Sequence, residues 1–297
     1  MKLSIITPCY NSEKFIEETI ESVLNQKGNF EIEYIVVDGG STDKTVAIIA
    51  KYEHSIESGE FPIKCNKVSL VHLTEKDDGM YDALTKGFKL ATGDIIAYIN
   101  SDDLYLPNAF SVACDIFTLY PDVDWMTGAS VGCNEKGQMV DCLLPFKYRR
   151  DFIRKGFYGT VLMFIPQEST FWRRTLLDEV DFDLLKRRRF AGDFYLWHTF
   201  SKKTDLYIVQ SYLGGFRSRS GQKSQQQKEY LKEFMSIVEE KAIVDLIFAY
   251  LYKVVMYFTP NVVKRILNNR IVYYDGSQWV MRSARTKIHM DRPGHTY

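Results

Sequence analysis

Along the first hundred positions, short apolar runs alternate with stretches whose apolar residues recur at helical spacing. The run LSIIT (3–7) is followed, after Asn11 and Ser12, by Phe15, Ile16, Thr19, Ile20, Val23 and Leu24, three or four residues apart. YIVVD (34–38) leads through the polar GGSTDKT into a helical VAIIAKY. LVHL (70–73) leads into DDGMYDALTKGFKLATG (77–93), which places Tyr81, Leu84 and Phe88 on one helical face and ends on Gly93 as a helix stop. IIAYI (95–99) is the fourth run, and NSDD follows it. Apolar strands separated by amphipathic helices predict a mostly parallel sheet covered on both faces. Ligands of such sheets bind beyond the carboxyl ends of the strands. TPCYN, DGGSTD, EKDDG and NSDD all fall at those ends.

Beyond residue 125 the pattern loosens. WMTGASVG is strand-like, NEKGQ is turn-like, and RRRFAGDFYLWHTFSKK (187–203) is helical from about Gly192. GGFRSRSGQKSQQQ (214–227) reads as a polar, basic loop. The chain then divides into a first domain, 1–225, and a helical extension, 226–297, interrupted by Pro260. Within the extension, AIVDLIFAYLYKVVMYF (242–258) has 17 residues and contains Asp245 and Lys253. A spanning helix needs about 20 apolar residues. Residues 242–270 are therefore expected to pack on the first domain, to join copies into a homo-oligomer, or to make peripheral membrane contact with help from Lys264, Arg265 and Arg270.

Composition narrows the function classes. Lys+Arg and Asp+Glu are equal at 38 each, so no global charge favours nucleic acid. The five cysteines include no C-x-x-C pair, which points to reduced core thiols in a cytosolic protein. MKLSIITPCYN enters a strand directly without a signal-peptide pattern, so a cytoplasmic location is expected, with the inner membrane face as its peripheral variant. No G-x-G-x-x-G follows the first strand and no G-x-x-x-x-G-K occurs, which disfavours dinucleotide and P-loop chemistry.

The polar strand ends supply the candidate chemistry. Asp102 and Asp103 are adjacent like charges, suited either to a solvated turn or to a divalent ion that also takes phosphate oxygens. Asp38 precedes Gly39-Gly40, where a base or ribose can approach the backbone, or where the carboxylate closes an Asx-turn. Asp78 sits at a helix start, where a carboxylate suits the positive end; Lys86 lies two turns along that helix. Asp193, after Gly192, suits an N-cap. Arg217, Arg219 and Lys223 lie in the glycine-flanked basic stretch, and PQESTFWRR carries Gln167 and Glu168 ahead of an aromatic pair. His72 and His198 have no metal-ligand spacing around them and read as structural.

SIITPCYNSEKFIEETIESVLNQ, EYIVVDGGSTDKT, EKDDGMYDALTKGFKLATGDIIAYINSDD and QESTFWRR resemble, in order and spacing, successive blocks of the large inverting family of nucleotide-sugar glycosyltransferases with a GT-A fold. The resemblance covers roughly residues 1–225. It implies a GT-A-like α/β fold with a mostly parallel central sheet and a helical C-terminal extension. It implies a base pocket shaped by Thr7, Pro8 and Tyr10, and contacts from Asp38 and Asp78 to the uracil and ribose side, with Lys86 in the donor-binding set. Asp103 becomes the metal-binding carboxylate of a D-x-D-type site for Mn²⁺ or Mg²⁺, on a surface strand end, with Asp102 beside it and Ser101 in the first position. Arg217, Arg219 and Lys223 become diphosphate ligands on a closing loop, Arg219 standing where relatives often have His. Gln167 and Glu168 lie near the acceptor or donor sugar. Asp193 becomes the general base, although Gly192 precedes it where Glu is common.

The implied activity is inverting, metal-dependent hexosyl or N-acetylhexosaminyl transfer from a UDP-sugar. The implied acceptor is a surface glycan, free or lipid-linked. The alternative is a non-catalytic nucleotide-sugar-binding or scaffold protein that keeps the fold. Donor hydrolysis separates the two.

Overall fold

In the computed structural model, which describes residues 1–219, 221–222 and 226–281, the four apolar runs form strands in one sheet. The first part of the chain runs β1 (Lys2–Cys9), α1 (Ile16–Leu24), β2 (Glu31–Asp38), α2 (Thr45–Glu57), β3 (Lys67–Thr74), α3 (Met80–Leu90) and β4 (Ile95–Tyr98). Next come β5 (Leu104–Tyr105), α4 (Ala109–Leu119), β6 (Trp125–Thr127), β7 (Ser130–Cys133), β8 (Met139–Leu143), α5 (Arg150–Arg154) and β9 (Thr170–Arg173). Then follow α6 (Phe182–Lys186), α7 (Gly192–Lys203), β10 (Leu206–Val209), β11 (Gly214–Arg217) and α8 (Gln227–Met235). The extension continues with α9 (Ile243–Phe258), α10 (Asn261–Leu267), β12 (Ile271–Tyr274) and β13 (Trp279–Met281).

Among the described residues the main sheet has the order β13-β12-β10-β6-β9-β4-β1-β2-β3, and β5-β11-β7-β8 form a smaller sheet. β1 pairs in parallel with both β2 and β4, β2 with β3, and β10 with β6 and β12. β9 is antiparallel to β4 and β6, and β13 to β12. The fold is GT-A-like, with a large, mostly parallel sheet between helices.

Alternation along the strands divides the core between the two faces. Ile6, Ile35, Val37, Ile96 and Tyr98 pack with the buried faces of α3 and α7, whereas Leu3, Ile5, Ile32, Val36 and Ala97 pack with those of α1, α2 and α4. The first face is dense with rings: Trp125 stacks on Trp197 at 5.7 Å, and Phe88 meets Tyr98 and Trp172 edge-on. A generous core thus accounts for much of the aromatic content.

Three sequence expectations change here. Residues 214–217 are the strand β11 rather than loop, because Gly214 and Gly215 pair with β5 and Phe216 and Arg217 with β7. The extension is not purely helical, since β12 and β13 complete one edge of the main sheet. Gly93 is not a left-handed stop; a Cβ there would lie 2.7 Å from the Ser4 amide nitrogen, so the glycine admits a close approach to β1. The cysteines are free, as expected, but only Cys9, Cys114 and Cys133 are buried, while Cys142 is exposed.

One buried carboxylate ties the sheet together. Glu33 receives hydrogen bonds from Lys2 (2.5 Å), Ser4 and Thr92. Burial alone would raise its pKa, but these donors outweigh burial and hold it at about 2, against an ordinary 4.5. The depressed pKa means that stability from this site is full above about 4.5 and drains as pH falls toward 2. Glu33→Gln should lower the melting temperature at pH 7 and flatten its fall through that window. An unchanged acid profile would show that the cluster contributes nothing net.

Candidate active site

The loops at the carboxyl ends of β1, β2 and β4 are stitched to one another by polar side chains. The Asp38 carboxylate accepts from the Gly40 and Ser41 amides at 3.1 and 3.0 Å and from the Ser41 hydroxyl, closing an Asx-type turn. Ser41 in turn accepts from the Asn11 amide at 2.8 Å, and Asn11 accepts from the Thr42 amide at 2.9 Å. Ser12 joins the Thr45 side chain at 2.7 Å and the Ser101 hydroxyl at 2.7 Å. Asp38 is fully buried, so its carboxylate holds the loop shape, and Gly39 and Gly40 carry the backbone past it.

The base-pocket candidates separate. Tyr10 is 61% exposed at the end of β1, whereas Thr7 is buried and its hydroxyl accepts from Tyr34 at 3.1 Å. Pro8 is buried as well. Asp78 is exposed, but its amide donates to Asp82 at 3.1 Å and its carbonyl accepts from the Arg189 guanidinium. Its neighbour Asp77, which the sequence did not single out, accepts from the Gly79 amide at 2.8 Å; a Cβ on Gly39 would lie 2.6 Å from its carboxylate. Lys86 is engaged by Glu75 at 2.8 Å and Asp82 at 3.5 Å along the side of α3.

The paired aspartates point to different environments, which corrects the surface position expected for Asp103. Asp103 is 1% exposed and accepts from the Arg217 amide (2.8 Å) and the Asn100 side chain (3.0 Å). Burial, followed by the charges of Asp102 and Glu168, pushes its pKa well above the usual carboxylate range. Asp102 is the half-buried partner and forms a 2.6 Å ion pair with Arg219. Arg217, expected on a mobile phosphate-binding loop, is instead fully buried in β11. Its guanidinium bonds the Asp102 carbonyl (2.8 Å), the Glu135 carbonyl (2.7 Å) and the Glu18 carboxylate (2.6 Å). It acts as an internal strut because β11 draws the whole residue into the small sheet. Lys223 lies outside the described residues.

Gln167 and Glu168 occupy a single helical turn that precedes β9, and both are buried. Gln167 bridges the Tyr98 carbonyl and the Asn100 amide, so it braces the end of β4. Glu168 has its pKa raised to about 7 by burial.

Asp193 is the second residue of α7 rather than the N-cap expected from the sequence, a place taken by Ala191, and its carboxylate accepts from the Phe194 amide at 2.7 Å and from the Tyr230 hydroxyl at 3.5 Å. Burial is the main cause that raises its pKa to about 6. It borders a small pocket shared with Tyr158, Phe164, Trp197 and Tyr230. The Tyr81 hydroxyl accepts from the Asp193 amide (3.2 Å) and donates to the Phe190 carbonyl (3.0 Å), linking α3 to the start of α7.

Sequence reasoning missed the clamp over this pocket. Glu233 of α8 accepts from the amides of Arg189, Phe190 and Ala191 at 3.0–3.3 Å, so a carboxylate from another helix satisfies the approach to α7. Phe234 stacks on Phe194 at 3.9 Å. The one local signal is the i,i+4 pair Tyr230 and Phe234, which marks a face but not its partner. Glu233→Ala should cost roughly 1.5–3 kcal/mol of stability. It should also speed amide exchange at 189–191; exchange as slow as in the parent chain would remove the clamp.

The sequence profile described as Glycosyl transferase family 2 matches residues 4–181. The putative teichuronic acid biosynthesis glycosyltransferase TuaG of Bacillus subtilis is 37% identical over 101 residues, 34% of this chain and 36% of that protein. The poly(ribitol-phosphate) beta-N-acetylglucosaminyltransferase TarS of Staphylococcus aureus is 36% identical over 104 residues, 35% of this chain and 16% of that protein. Both matched segments thus span little more than a third of these relatives at most. The crystal structure of S. aureus TarS 1–349 in complex with UDP-GlcNAc superposes with a TM-score of 0.55 at 19% identity, covering 89% of this chain and 70% of that one, a likeness of fold.

Proposed function

The chain belongs to glycosyl transferase family 2, and on that premise we propose that it transfers a sugar from a UDP-sugar to an acceptor hydroxyl with inversion at the anomeric carbon. The observation that carries this reading is Asp193, a carboxylate with a pKa raised to about 6, beside an aromatic pocket at the start of α7. A base poised there is ionised at neutral pH yet basic enough to take a hydroxyl proton.

In the proposed step the acceptor oxygen forms a bond to the anomeric carbon while its proton passes to the Asp193 carboxylate. The bond from that carbon to the diphosphate oxygen breaks, and its electron pair leaves with the nucleoside diphosphate. One displacement with one base inverts the centre; retention would require a carboxylate nucleophile. The bound UDP-GlcNAc of the TarS complex supports a UDP-sugar here, and the TuaG and TarS names support a surface polysaccharide or polyol phosphate as acceptor.

The donor oxygens of this site fit a divalent cation held jointly with the substrate. Among the described residues no group of three or more His, Cys, Asp or Glu side chains could hold a metal by itself. Asp102 is the half-buried carboxylate at the strand end, and Mg²⁺ or Mn²⁺ takes one or two carboxylates plus phosphate oxygens and water. When bound, such an ion would neutralise charge on the departing diphosphate. Asp102 would hold it, and Arg219, already within reach of Asp102, would add a fixed positive charge on the same side.

A panel of UDP- and GDP-sugars, with and without Mn²⁺, tests the reading by thermal shift and by donor hydrolysis. A ligand at a hundredfold its Kd adds about 2.7 kcal/mol of stability, a clear shift. UDP-sugars should stabilise the protein and be consumed. Binding without turnover under any acceptor would favour the non-catalytic alternative, and no response to any nucleotide sugar would overturn both.

A further inference from the structure

Helix α9 meets the rest of the protein along one seam. Asp245, Ala249, Tyr252 and Met256 face inward: Asp245 pairs with Lys155 at 2.7 Å, Ala249 and Met256 are buried, and Tyr252 donates to the Lys147 carbonyl. Apart from Lys253, the remaining circumference is apolar and exposed. Ile243, Tyr257 and Phe258 are 81%, 75% and 77% exposed, Ile247 and Phe248 are exposed beside them, and α10 adds Val262 and Leu267. A contiguous exposed apolar patch of this kind marks an interaction surface. Between 243 and 267 the single exposed charge is Lys253.

A basic cleft lies against the same helix at Tyr252, lined by Lys147, Arg149, Arg150, Arg154 and Arg270 with Asp151 and Asp205. Arg149 pairs with Asp151 (2.8 Å), Arg154 with Glu239 (3.2 Å) and Arg270 with Asp205 (2.6 Å). Arg150 donates to the Ser201 and Lys202 carbonyls. Among the described residues, Lys147 and Arg150 have no carboxylate partner, so the cleft carries net positive charge. The basic residues that sequence reasoning assigned to a membrane are not the ones available. Lys264 is buried on the Leu144 carbonyl, Arg265 bonds Gln210, and Arg270 holds Asp205.

We propose that α9 and α10 lie in the interface of an anionic phospholipid membrane, with their bare apolar side chains among the acyl chains and the Lys147 cleft taking lipid phosphate groups. An apolar helix bordered by positive charge matches such a surface in both respects. A second copy of this chain fits less well, because a two-fold contact through α9 would bring like-charged clefts toward each other. The geometry is flat rather than spanning: none of the described helices is long and apolar enough to cross a membrane. This inference is independent of the transfer reaction.

The test is co-sedimentation of the full-length chain with phosphatidylcholine vesicles, with and without phosphatidylglycerol. Binding should require phosphatidylglycerol and weaken with salt, as the screening length falls from ~10 Å at 0.1 M to ~3 Å at 1 M. The double variant Ile247→Asp/Phe258→Asp changes only exposed positions and should lose vesicle binding while keeping its circular dichroism and melting temperature. Lys147→Glu should weaken binding by roughly fivefold or more. Equal binding to neutral and anionic vesicles, or to neither, overturns the proposal. So does a dimer in sedimentation velocity that the double variant dissolves when no lipid binding is seen.

Discussion

Asp193→Asn is expected to lower kcat by about 10²–10⁴-fold with donor KM nearly unchanged, because it removes a general base and keeps side-chain size and an oxygen that can accept from the Phe194 amide. In the parent chain, turnover should fall as pH drops through about 6, where the Asp193 carboxylate takes up a proton. The variant should lack that limb. Stability should move the opposite way. A carboxyl whose pKa is raised from 3.8 to about 6 binds its proton more tightly in the folded state, so its charge destabilises the fold at neutral pH. The Asn variant should therefore be more stable at pH 7 by up to about 3 kcal/mol, a gain that disappears below about pH 4. Such a trade between stability and activity is the mark of a strained functional group. Turnover within a few-fold of the parent would leave Asp193 only a first-turn acceptor for the Phe194 amide. The acid limb would then have to come from Glu168, whose pKa burial raises to about 7, and Glu168→Gln would test that.

Asp102→Asn is expected to cut turnover by about 10²–10³-fold, the usual loss when one stabilising contact to developing charge is removed. The melting temperature should change little, because the side chain is half-buried and its ion pair with Arg219 is partly open to solvent. Asp103→Asn should behave differently. Its carboxylate holds the Arg217 amide and the Asn100 side chain inside the protein, so the amide variant leaves a donor facing a donor. Its main effect should be on stability, with activity falling in step with folded fraction. Measuring melting temperature, UDP affinity in Mn²⁺ and turnover for both variants separates the roles. Wild-type turnover for Asp102→Asn, together with an inactive but fully stable Asp103→Asn, would reverse them.

What the sequence determined by itself follows from local periodicity. The four apolar runs and the helices between them have unambiguous spacing, and a strand buried on both faces has few alternatives to a parallel sheet. The four polar segments at the strand ends were legible for the same reason, since the sheet must deliver its carboxyl ends to one edge. The family-like order of these blocks added the identity of the fold.

Tertiary structure decided which of the polar groups are left to meet a ligand. Asp102 and Asp103 are equivalent in sequence, and only the docking of β11 buries one and leaves its neighbour beside Arg219. Arg217 reads as a loop cation until strand pairing with β7 turns it inward. Glu233 carries no local mark, because the amides it satisfies lie 42–44 residues earlier in the chain. Lys264 likewise changes from a candidate membrane contact to a buried donor, while Lys147, silent in the sequence, has no carboxylate partner among the described residues and lies beside an apolar helix. Periodicity reports which face of an element is apolar. Which charges that face brings together depends on contacts between residues far apart in the chain.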